Sequence, residues 1–189
     1  MVRVRVSLDS VACRDTEDVT GADHFYLAGV VTDGETVKEV LTRPLKINNG
    51  QTISFGEGGG TIFHVDAPTD RILKVTFVGF DQDAGSDWKR IEGGVKQATD
   101  AVAAVLRAIP NPYTVTAAEL LPVVRQGIGA VMQMDIDDEL GQHVADFPLW
   151  GLPQPNGGPI GLSQFVPLKG GSGWWSSWNY TVNYRVLLG

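Results

Sequence analysis

The chain has 189 residues, 43% of them hydrophobic, and a formal net charge of -7, enough length and apolar content to bury one proper core. That charge excludes a nucleic-acid binder, which needs Lys and Arg to neutralise phosphates, and it gives no direct attraction to anionic headgroups unless a bound cation reverses the sign locally. A lone cysteine, Cys13, permits no disulfide within the chain, and one thiol with three scattered histidines cannot build a usual structural zinc site.

The first nine residues alternate charge and Val instead of placing a basic stretch before an apolar run, so they do not read as a secretory leader. No stretch approaches the roughly 20 apolar residues of a membrane span. The expectation is a soluble protein, either cytoplasmic or exported without a leader.

Val2 to Leu8 alternate apolar and polar residues strictly, as a strand with one buried face should. Further β-rich runs follow at His24 to Thr32, Thr36 to Leu41, Gln51 to Phe55, Thr61 to Val65 and Ile72 to Phe80, set apart by Gly, Asn, Asp and Pro clusters. Their spacing predicts an antiparallel sandwich or barrel. Gly56 to Thr61 is glycine-rich but lacks the Lys of a phosphate loop, and reads as a mobile hairpin connection.

The pattern then changes. Trp88, Ile91, Val95, Ala98, Val102, Val105 and Ile109 recur every three or four residues, the stripe of an amphipathic helix that Asp87 can cap and Pro110 stops. Thr116-Ala117-Ala118-Glu119 is a capping box opening a second helix through Leu120, Val124, Ile128 and Met132, although Pro122, Gly127 and Gly129 weaken it. This helical hairpin, at about 88–132, either covers a face of the sandwich or is a detachable arm. After Asp135 come short apolar runs, then a Pro- and Gly-rich loop from Pro148 to Gly161, with Asn156-Gly157 as a tight turn. Trp178 to Val186 alternate again and predict the last strand, and no internal repeat is present. The fold expected is mainly β: one domain over 1–189, a sandwich interrupted by a helical hairpin.

Carboxylates cluster where strands end: Asp15, Glu17, Asp18 and Asp23; then Asp81, Asp83 and Asp87; then Asp135, Asp137, Asp138 and Glu139. Calcium is a hard cation that takes six to eight oxygen ligands, and Asp in a loop supplies them without distorting a sheet. Without a cation, that many anions would repel and raise one another's pKa values. Taken singly, each Asp is as well explained as an ordinary turn residue.

Glu17-Asp18-Val19-Thr20-Gly21-Ala22-Asp23-His24-Phe25-Tyr26-Leu27 resembles the first calcium loop of C2 domains, in which an acidic residue precedes a Gly-containing turn, an Asp and a strand-opening aromatic. Phe80-Asp81-Gln82-Asp83 resembles that family's paired aspartates at the end of a central strand. Asp137-Asp138-Glu139-Leu140-Gly141 is similar to the acidic, hydrophobic and glycine residues that close the same loop. In the family the second and third motifs share one loop, whereas here the helical hairpin separates them, so the resemblance implies an insertion. It covers about the first half of the chain and a short stretch after Asp135. It implies a C2-like sandwich holding Ca2+ through Glu17 or Asp18, Asp23, Asp81, Asp83, and Asp137 or Asp138, with Asp87 a rival.

Two further features bear on function. Trp174 and Trp175, beside Gly170-Gly171-Ser172-Gly173, can insert into a membrane interface or stack on a sugar ring, or can simply pack, as Trp178 is expected to. His24, His64 and His143 accompany no recognisable nucleophile motif, so a non-enzymatic protein is expected, with a metal-dependent hydrolase the less favoured reading. The reading that follows is a calcium-dependent binding module for a phospholipid membrane or another anionic target. Its alternative is a calcium-stabilised structural, adhesive or carbohydrate-binding domain, with a glycan or protein as partner.

Overall fold

The structure, a computed structural model, describes the chain except residues 17–21, 57–59, 83–87, 133–137, 154–159 and 173–175; of 130–132, 172 and 176 only the backbone is described. Among the described residues the elements in chain order are β1 (Val2–Asp15), β2 (Asp23–Thr32), β3 (Val37–Leu41), β4 (Leu45–Ile47), β5 (Thr52–Ser54), β6 (Gly60–Ala67) and β7 (Ile72–Asp81). Then come α1 (Trp88–Ala108), α2 (Ala117–Met132), β8 (Asp138–Pro148), β9 (Ile160–Ser172) and β10 (Ser176–Leu188).

The strands form two antiparallel sheets. In the first, β10 lies between β1 and β9, while β5 and β6 pair in succession along the other side of β1. In the second, β7 lies between β2 and β8, and β3 and β4 succeed each other along β2. The glycine-rich connection after Phe55 is therefore not a hairpin: β5 and β6 run in the same direction along β1 as two pieces of one interrupted edge strand.

Alternation decides which side chains meet. Val4, Val6, Val182, Tyr184 and Val186 of the first sheet interlock with Phe25, Leu27, Val75, Phe77 and Leu140 of the second, as face-to-face packing of a sandwich requires. The second sheet is covered on its other face too. Tyr26, Ala28, Val30, Val78 and Phe80 carry the apolar stripe of the helical hairpin, with Ile91, Val95, Ala98, Val102, Leu120, Val124 and Ile128 packed against them. Two covered faces explain why β2 and β7 read as nearly continuous apolar runs where β1 and β10 alternate.

The hairpin is thus a third layer of the same body, resting on its own sandwich. Its capping box forms as drawn from the sequence: the Thr116 backbone N–H donates to Glu119 Oε2 at 2.7 Å, and the Glu119 N–H donates to Thr116 Oγ1 at 3.2 Å. Gly127, which weakens helix propensity locally, is required by packing, because a Cβ there would lie 2.5 Å from the Ala98 Cα. The far tip is pinned by polar contacts: Arg71 lies 4.8 Å over the Tyr113 ring while pairing with buried Asp33 at 2.7 Å. Beside it the buried Lys74 ammonium donates to Ile72 O at 3.1 Å.

Candidate functional site

Strand register brings the acidic positions to one end of the sandwich. Asp81, the last residue of β7, faces Asp138, the first of β8, and Phe25 of β2 faces Asp81 from the other side. Asp23 opens β2 two residues before Phe25. In the other sheet β1 ends at Asp15, directly across from Asn179 near the start of β10. The segments joining β1 to β2, β7 to α1, α2 to β8, and β9 to β10 all leave from this end.

Two contacts lock the sheets together there. Tyr180, opposite Cys13 in the first sheet, donates its hydroxyl across the core to Asp23 Oδ2. Burial first, and then the adjacent carboxylate, pushes the Tyr180 phenol far above its ordinary pKa, so it stays a donor. The second contact is the Trp178 indole, whose Nε1–H donates to Leu140 O at 2.5 Å. That carbonyl is available because β8 bulges at Leu140: Gly79 pairs with Gly141 and Phe80 with Glu139, leaving Leu140 extra, and Gly141 takes φ +143°. The Leu-Gly pair expected to close a loop is instead a bulge inside the strand. Trp178 in turn needs Gly170, where a Cβ would lie 2.3 Å from the indole ring.

Of the expected calcium ligands, Asp23 is 1% exposed and Asp81 7%, whereas Asp138 is exposed. Asp81 Oδ1 accepts the His24 backbone N–H at 2.6 Å, which ties the end of β7 to the start of β2. Glu17, Asp18, Asp83, Asp87 and Asp137 lie outside the described residues, as do Trp174, Trp175 and the Asn156-Gly157 pair. Among the described residues no group of three or more His, Cys, Asp and Glu side chains stands close enough to hold a metal ion. Glu139, in the third acidic cluster, is engaged otherwise: it accepts Arg125 Nη2 at 2.8 Å and fastens α2 to β8.

Side chains without an acidic motif also reach this end. Asn49, in the turn between β4 and β5, accepts the Thr16 backbone N–H at 2.6 Å, and Ser177 donates to Asp15 Oδ2 at 2.5 Å. Tyr180 is separated from Asp23 by 157 positions, and nothing in its local pattern distinguishes it from any other inward-facing strand residue.

The fold and this end together define an antiparallel β-sandwich with a helical insertion and acidic strand ends. No protein-family model matches the chain, and no curated protein matches it. Among solved structures it is similar to human GIVD cytosolic phospholipase A2 in complex with methyl gamma-linolenyl fluorophosphonate, at a TM-score of 0.42 and 8% identity. The likeness covers 99% of this chain and 17% of that one, so the chain spans about a sixth of the phospholipase's length.

Proposed function

We propose that the protein is a calcium-dependent binding module in which an ion, held at the acidic end of the sandwich, neutralises that end and bridges to an anionic target, a phospholipid surface first. The observation that supports this is that strand register puts Asp81 directly opposite Asp138 and opens β2 with Asp23 at the same end of the sheet, with Asp23 and Asp81 almost shut off from water. Like-charged residues directly opposite on paired strands, such as Asp81 and Asp138, destabilise a sheet unless a cation lies between them. Glu17, Asp18, Asp83, Asp87 and Asp137, in the segments leaving the same end, would complete six to eight oxygen ligands. In a chain of charge -7 the ion supplies the positive potential that an anionic partner needs.

A thermal melt in calcium against chelator tests the site, since an ion binding only the folded state stabilises it by about 2.7 kcal/mol at a hundredfold excess over its dissociation constant. The midpoint should rise, and the rise should vanish in an Asp81→Asn, Asp83→Asn double variant. No rise at millimolar calcium would sink the proposal. Sedimentation with phosphatidylserine vesicles then reads the target: calcium-dependent pelleting supports membrane engagement. A melt shift without pelleting favours the second reading, an ion that only rigidifies a structural or adhesive domain. That reading draws on the two sheets already being bolted together at this end by Tyr180 and Trp178.

A further inference from the structure

Both sheets are interrupted along the side of the sandwich away from β8 and β9. In the second sheet β3 ends at Leu41, opposite Ala28, and β4 begins at Leu45, opposite Phe25, with Thr42, Arg43 and Pro44 between them. In the first, Leu8 pairs with Gly60 of β6 and Ser10 with Ser54 of β5, so the edge is broken there too. The two breaks face each other across a cleft of about 480 Å³. Sites for small molecules run from roughly 300 to 1,000 Å³.

The cleft is lined by apolar side chains. Leu8, 1% exposed, is the most buried of them, and Leu41, Leu45, Phe55 and Ile62 are half-buried around it. The three hydroxyls of the lining are already engaged within the protein. Thr42 Oγ1 accepts the Leu27 N–H at 2.9 Å, Ser54 Oγ donates to Gly56 O at 2.6 Å, and Thr61 Oγ1 lies 3.4 Å from Ser7 Oγ. One charge stands on the cleft. Arg43 is exposed, is the only charged side chain of the lining among the described residues, and has neither an ion pair nor a hydrogen bond among them. By contrast Arg3, Arg71, Arg125 and Arg185 each hold a carboxylate.

We propose that this cleft binds a free fatty acid, with the hydrocarbon chain against Leu8, Leu41, Leu45, Phe55 and Ile62 and the carboxylate at the Arg43 guanidinium. Each part of the ligand follows from the lining. Walls whose hydroxyls are taken offer no compensation to a polar ligand that must shed its water, and they accept a hydrocarbon without such a cost. The unpaired guanidinium selects the head group, because its planar fork bonds a carboxylate in two places and repels a cationic amphiphile. No carboxylate lines the cleft among the described residues, so the ligand meets no like charge there and has no need of the ion proposed for the acidic end.

The test is isothermal titration calorimetry of the whole chain in chelator with octanoate, decanoate and dodecanoate, each below its micelle concentration. Binding of one equivalent is expected, with affinity rising about two- to fourfold for each added methylene. Arg43→Glu, at an exposed position, should leave the melting temperature unchanged, weaken dodecanoate about threefold or more and leave dodecanol unaffected. A dodecanoate carrying a diazirine at its far end then locates the chain, and the adduct should fall near Leu8, within 41–45 or within 60–62. Absence of binding overturns the proposal, and so does binding that Arg43→Glu leaves as tight as before, or an adduct elsewhere. Since every arm is run in chelator, the result stands apart from that of the calcium melt.

Discussion

At the scale of single residues, the buried polar pairs of the core are where small changes should cost most. Tyr180 is fully buried and gives its hydroxyl to Asp23, so Tyr180→Phe leaves a nearly inaccessible carboxylate short of a donor. A loss of about 1–3 kcal/mol in equilibrium urea unfolding is expected, and an unchanged midpoint would show that the bond contributes little. His143 sits between the sheets with its Nε2 2.8 Å from the Tyr184 hydroxyl, and burial holds its pKa down to about 4 from an ordinary 6.5. Because the unfolded chain takes up that proton first, the contribution is complete above pH 6.5 and is lost as pH falls through 6.5 toward 4. Discounted for partial exposure, its size is on the order of 2 kcal/mol. His143→Gln should flatten that stretch of the stability curve, as read by urea midpoints at several pH values.

At the scale of elements, the helical hairpin shows how a residue that looks unhelpful locally is explained by its neighbour. Gly127 and Ala98 let α1 and α2 approach until backbone meets backbone, so Gly127→Val should cost at least about 1–3 kcal/mol by forcing the helices apart, despite the better helix propensity of the new residue. Thr116→Ala removes one half of the capping box and should cost about 1 kcal/mol. Both are measurable by thermal or urea unfolding, and a stabilised Gly127→Val variant would contradict the packing drawn here. In β8 the bulge at Leu140 and the Trp178 indole form a pair of the same kind, since the irregular strand offers a carbonyl and the opposite sheet supplies its donor.

At the scale of the whole molecule, the layering is sheet, sheet, helices, with the central sheet apolar on both faces. Asp81 and Asp138 are paired across β7 and β8, so the intervening 83–137 can in principle be replaced by a short turn without disturbing either strand. Doing so uncovers Tyr26, Val30, Val78 and Phe80 together, a contiguous apolar patch of the kind that drives association. The shortened chain should bind a hydrophobic dye and aggregate; a monodisperse, cooperatively folding product would show that the third layer is dispensable. Because the hairpin packs along its full stripe and is pinned at its tip by Arg71 and Lys74, it is built as a fixed cover. Hydrogen exchange in α1 and α2 that is indifferent to calcium is the outcome in keeping with that.

Local pattern was enough to find the elements whose own residues carry the signal. The alternation in β1 and β10, the stripe of α1, the capping box of α2 and the grouping of carboxylates at strand ends are all properties of a few neighbouring positions. β9 escaped notice although its residues alternate, because Gly161, Pro167, Gly170 and Gly171 imitate a loop, and only an edge position makes a proline in a strand tolerable. Periodicity announced that the hairpin had an apolar face but not what lay against it, and composition counted aspartates without ordering them in space. The Tyr180–Asp23 bond, the Gly127–Ala98 approach and the facing of Asp81 by Asp138 join residues about thirty to more than one hundred and fifty positions apart. Such contacts leave no trace in any local window, because only strand register and layer packing bring their partners within reach.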